Sequence, residues 1–130
     1  MREILFRGKT EQGQWVQGDL LHPDLYGNGY SIEDFTKEKN NCFDIIPETV
    51  GQYTGLADKN GKKIFEGDIV KTDKFNEPNK QYIIKYDLQF GAFISKDKYN
   101  MYFTTFDGDS NQFEIIGNIH DNPELLAQDQ

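Results

Sequence analysis

The stretch TVGQYTGLADKNGKKIFEGDIVK, residues 49–71, places Gly51, Gly55, Gly61 and Gly67 within 17 residues. The residues between them are largely β-branched or aromatic, so the chain reads as short extended segments with turns and bends set by the four glycines. A phosphate-cradling loop needs Gly, four residues, Gly-Lys and then Ser or Thr, followed by a substantial helix. Here five residues separate Gly55 from Gly61, and Lys63 stands where the magnesium-binding hydroxyl belongs. Ile64-Phe65 then starts a strand. The stretch therefore reads as a hairpin, with Asn60-Gly61 in a type I′ turn because both positions reach φ > 0 at low cost.

The same grammar recurs along the chain. Strands are expected at 3–6 and 14–17, bracketing the turn GKTEQG, near 30–32, and at 42–46, ending at Pro47. Further strands are expected at 63–66 and 68–72, at 81–86 and 90–95 in a hairpin, at 99–106, and at 113–119. KFNEPNK, residues 74–80, reads as a hairpin connection, and 22–42 as an extended loop region. Strand signals every 8 to 12 residues or so indicate a sandwich or small barrel. The expected fold is all-β, mainly antiparallel: a compact, barrel-like single domain over residues 1–130 with one short C-terminal helix. In that helix Asn122 is the candidate N-cap, Pro123 the first helical residue, and Leu125 and Leu126 the buried side. An internal echo pairs WVQGDLL, residues 15–21, with IFEGDIV, residues 64–70. Both copies read as strand, glycine kink, strand.

Composition limits the function classes. Hydrophobic residues make up 36% and aromatics 14% of 130 residues, which is globular. A net charge of -8 disfavours nucleic acid and anionic membranes. Lys98 is the last basic residue. Asp107, Asp109, Glu114, Asp121, Glu124 and Asp129 follow it, making the last third a candidate acidic surface for a basic partner. A lone Cys42 fits a reducing compartment, and MREILFRGK is too short and charged for a secretory signal, so a cytoplasmic protein without membrane association is expected.

No catalytic constellation emerges. Gly27-Asn28-Gly29 lacks the third glycine and the helix of a dinucleotide fingerprint. None of Ser31, Ser95 and Ser110 sits in Gly-x-Ser-x-Gly. His22 and His120 read as surface or capping residues, Cys42 as a half-buried structural cysteine, and no cysteine pair offers zinc spacing. No catalytic residue, metal ligand or cofactor is assigned.

Three blocks, FRGKTEQGQWVQGDL, ETVGQYTGLADKNGKKIFEGDIV and IIGNIHDNPELL, resemble in order the YopX family of phage and prophage proteins and cover 50 of the 130 residues. The resemblance implies a compact all-β fold, a phage or prophage origin and no assigned activity or site residues. The resulting expectation is a non-enzymatic protein-interaction module that binds a host or phage protein, with self-association through exposed strand edges also open. The alternative is a single-stranded nucleic-acid-binding barrel accessory to phage replication, using Lys59, Lys62 and Lys63.

Overall fold

A computed structural model describes residues 2–72, 80–97, 102–103 and 112–128. The chain divides into two compact units, Met1–Tyr53 and Thr54–Gln130. The first contains β1 (Phe6–Lys9), β2 (Trp15–Leu21), β3 (Ser31–Glu33), β4 (Cys42–Asp44) and most of β5 (Ile46–Ala57). The second contains the end of β5, then β6 (Lys63–Phe65), β7 (Asp68–Thr72), β8 (Gln81–Asp87), β9 (Ala92–Lys96), β10 (Tyr102–Phe103), β11 (Phe113–Asn118) and α1 (Pro123–Gln128).

The strands form two sheets, ordered β4-β3-β2-β1-β5-β6 and β10-β9-β8-β7-β11. Every register recorded between neighbouring strands is antiparallel. The mainly antiparallel all-β expectation holds. The barrel does not: among the described residues no sheet closes on itself, because neither end strand of either order pairs with the other.

In the first unit, Val16, Ile32 and Ile45 are buried, and Phe6, Leu20, Tyr30, Phe43 and Val50 pack on them. Strand alternation puts Trp15 on the other face of β2 from Val16, and it is only half-buried. In the second unit the core is Ile64, Val70, Tyr82, Ile84 and Phe113, with Leu56, Phe93 and Ile115 against it. Phe65 and Ile69 are also buried, as expected for the IFEGDIV segment.

Three local expectations are corrected. Strand pairing does not stop at Pro47, because β5 runs through it for 12 residues. Gly51 therefore lies inside a strand, opposite Arg7, rather than at a turn. At the register shift between Arg7 and Lys9, the Lys9 N–H donates to the Thr49 hydroxyl at 2.8 Å. The Asn60-Gly61 turn is not type I′. Gly61 has φ 82°, but the one non-glycine residue with positive φ among those described is Asn40.

The two halves of the echo also fold differently. Gly67 has φ 89° and breaks the chain between β6 and β7, donating its N–H to Ile84 O and accepting from Ile119 N–H. Gly18 sits within an unbroken β2, opposite Phe6 and immediately before the residues that pair with β3. The feature that requires glycine there is space. A Cβ on Gly18 would stand 2.0 Å from the Glu33 carbonyl oxygen.

The C-terminal helix is six residues long and starts at Pro123 as expected. Asn122 precedes it but bonds backwards: its Oδ1 accepts from Asn118 N–H at 3.2 Å, not from the first helical turn. Close approach of Gly117 to Asn122 and Leu125 fixes the junction with β11.

Candidate functional site

One turn design recurs three times, at 10–14, 24–28 and 58–62. In each, the first residue's N–H donates to the carbonyl of the fifth: Thr10 to Gln14, Asp24 to Asn28, and Asp58 to Lys62. In each, the fourth residue is a glycine with φ near +85°: Gly13 at 87°, Gly27 at 88° and Gly61 at 82°. In each, the first side chain accepts from the fifth residue's N–H. This is a three-residue hairpin loop in which the left-handed position is filled by glycine.

The copies differ in what they hold. Thr10 and Asp58 are buried. Asp58 Oδ1 accepts from Asn60 and Lys62 N–H, each at 2.9 Å, and Oδ2 reaches across to Ile115 N–H at 3.0 Å. Lys59 N–H donates to Phe113 O at 2.9 Å. The turn thus occupies the outer edge of β11. Burial pushes the Asp58 carboxyl up, but the backbone N–H bonds from Ile115, Lys62 and Asn60 outweigh it and hold the group below its ordinary value.

The Asp24 turn is exposed. Asp24 Oδ1 accepts from Tyr26 N–H at 2.8 Å and Asn28 N–H at 3.1 Å, and Oδ2 from Asn28 Nδ2 at 2.7 Å. The Asn28 side-chain bond, then the Tyr26 N–H, hold its carboxyl below the ordinary range. The tip presents Leu25 at 100% and Tyr26 at 91% exposure. In the second unit a carboxylate also fixes the β8–β9 hairpin, by a different pattern: Asp87 Oδ1 accepts from Gln89 and Phe90 N–H. Its tip exposes Leu88 at 89%, with Phe90 and Tyr86 also exposed and Tyr86 edge-on to Phe93. Large apolar side chains in carboxylate-fixed turns are preorganised contact points, since little conformational entropy remains to be lost on docking.

The lysine-rich tip KNGKK is only partly available as a basic patch. Lys59 lies 3.5 Å and Lys71 3.8 Å from Glu114 Oε1, while Lys62 and Lys63 are exposed. A separate cation–aromatic cluster lies on the first unit: Arg7 is 4.9 Å and Lys9 5.9 Å from the centre of the Trp15 ring. The sequence did not flag it, because it depends on the β1–β2 register that sets Lys9 opposite Trp15.

His22 stacks obliquely on Tyr30 at 5.6 Å in the first unit, and His120, in the second, donates its backbone N–H to Asn118 Oδ1. Cys42 is exposed rather than half-buried, on strand β4 at the end of its sheet, with its Sγ 3.7 Å from Ser31 Oγ. Among the described residues no group of three His, Cys, Asp or Glu side chains could hold a metal ion, and no helix is long and apolar enough to cross a membrane. Of the six acids expected to form a surface in the last third, Asp107, Asp109 and Asp129 lie outside the described residues, and Glu114, Asp121 and Glu124 are described. Of the acids that are described there, Glu114 is engaged by two lysines.

Two antiparallel sheets, a six-residue helix and glycine-fixed turns define a small all-β protein. The family model for the YopX protein matches residues 5–127, and the chain belongs to the YopX family. Among solved structures it is similar to protein EF1440 from Enterococcus faecalis, with 24% identity, a TM-score of 0.56, and coverage of 97% of this chain and 99% of that one. At that identity the likeness is one of fold. No curated protein matches the chain.

Proposed function

We propose that this chain is a small phage- or prophage-encoded, non-catalytic protein-interaction module acting on a host protein in the cytoplasm. The observation that carries the interaction role is the exposure of Leu25, Tyr26 and Leu88 on turns fixed by Asp24 and Asp87. Leaving such side chains in water forgoes about 1.5–3 kcal/mol each of burial, which a partner recovers. The test is retention from a nuclease-treated lysate of the expressing cell on the immobilised protein. A discrete protein is expected to be retained by the wild-type chain, and less by Leu25→Ser combined with Leu88→Ser. Retention of nothing would sink the reading.

A second reading, binding of single-stranded nucleic acid, is favoured by the Arg7, Lys9 and Trp15 cluster, in which cations surround an aromatic platform. Trp15 is the one tryptophan in the sequence, so its fluorescence reports on that cluster alone. Under this reading an oligothymidylate quenches it saturably at low salt, and Arg7→Glu with Lys9→Glu abolishes the effect. An unchanged spectrum rejects the reading.

A further inference from the structure

We propose that the β2–β3 hairpin is the docking element of the module, and that it takes an apolar pocket rimmed by lysine or arginine on a partner protein. The inference rests on the interaction reading above and adds the surface and the chemistry of its partner.

The first argument is the contrast among the three like turns. The 58–62 turn secures β11, and the side chain that starts the 10–14 turn is buried. The side-chain bonds of Asp24 stay within its own five residues, and its two tip side chains are the most exposed large hydrophobics among the described residues. A rigid turn whose tip side chains stand exposed is suited to packing something else.

The second argument is charge. From Thr10 to Thr36 the sequence contains Glu11, Asp19, Asp24, Glu33 and Asp34 and no Lys or Arg. Within the hairpin Asp19 stands directly opposite Glu33. Like charges facing each other across a strand pair weaken it, and the pair persists here beside Arg7, which stands opposite Gln17 on the same face of β2. Leu21, 41% exposed, is next along the same face towards the tip. A cationic rim would meet the two carboxylates while the pocket received the apolar tip. The charges would then set association rate and salt dependence, and the tip most of the residence time.

The test compares three immobilised proteins in nuclease-treated lysate: wild type, Leu25→Ser with Tyr26→Ser, and Asp19→Asn with Glu33→Gln. The protein retained by wild type is then purified and titrated. At least about a tenfold weaker Kd is expected for the tip variant. The acid variant is expected to associate more slowly, with a flatter salt dependence. Its own Tm is expected to hold or rise. Hydrogen exchange of the purified complex is expected to show protection across residues 19–33. A partner bound equally by all three, without protection there, would remove this surface and leave the module reading standing. Retention of nothing by any of the three would remove both. A fall in Tm of the acid variant would show that the carboxylate pair serves folding, and would overturn its assigned role.

Discussion

Gly18→Ala is expected to lower the unfolding free energy by about 3 kcal/mol, at the upper end of what overpacking costs. The backbone at Gly18 has no positive φ, so the effect is steric. The added Cβ would lie 2.0 Å from Glu33 O, 2.6 Å from Glu33 C and 3.1 Å from Asp34 Cα, all of them backbone. No rotamer change relieves such a contact; β3 has to move away from β2. The three-residue pairing of Asp19, Leu20 and Leu21 with Glu33, Ile32 and Ser31 would then be lost, and with it the burial of Ile32, which is 0% exposed. Denaturant unfolding measures the loss, and hydrogen exchange at 31–33 should show where it occurs. Gly29→Ala is the control. Nothing lies within 4 Å of its added Cβ, and its change should stay within about 0.5 kcal/mol. Equal stability of Gly18→Ala and wild type would contradict the steric role assigned to Gly18.

Asp58→Ala is expected to cost about 3 kcal/mol, because it strips acceptors from three backbone N–H groups at once. Asn60 and Lys62 are exposed and water can replace part of what they lose, so the larger share comes from Ile115 at the sheet edge. Asp58→Asn should recover only part of the loss, since one of the two accepting oxygens becomes an NH2 that faces an N–H. The pH dependence follows from the lowered carboxyl. A carboxylate favoured by folding stabilises above its unfolded value, 3.8. That contribution is lost as pH falls from about 4 through the lower folded value. Wild type should therefore lose stability over that window more steeply than Asp58→Asn. Parallel curves for the two proteins between pH 5 and about pH 2 would contradict the assignment.

What the sequence conveyed was local. β7 lies at residues 68–72 as its β-branched pattern predicts, and the turns at Gly13 and Gly61 are where turn residues cluster. The errors come from contacts distant in sequence. β5 continues through Pro47 because its pairing with β1 is set by residues some forty positions away, a constraint no local signal carries. Gly18 and Gly67 share the motif Gly-Asp between apolar pairs, yet one is held by the nearness of Glu33 and the other by a positive φ. The candidate site was least legible. Leu25 and Tyr26 have the composition of core residues. Their exposure follows from a turn built by Asp24, Gly27 and Asn28, in a stretch without the alternation that marks a half-buried strand.

The turn that covers β11 has a bearing on solubility. A sheet's last strand offers unpaired N–H and C=O groups, and any extended chain can add to them. Here the Ile115 N–H and the Phe113 carbonyl are already taken, by the Asp58 carboxylate and the Lys59 amide. The five residues from Asp58 to Lys62 therefore act as a chemical stopper against strand addition, and one of its two bonds to β11 depends on the charge of Asp58. Acid that neutralises Asp58 weakens the bond to Ile115 N–H and leaves the Lys59–Phe113 bond in place, so this edge, in a strand that carries Phe113, Ile115 and Ile116, is expected to accept an added strand more readily at low pH.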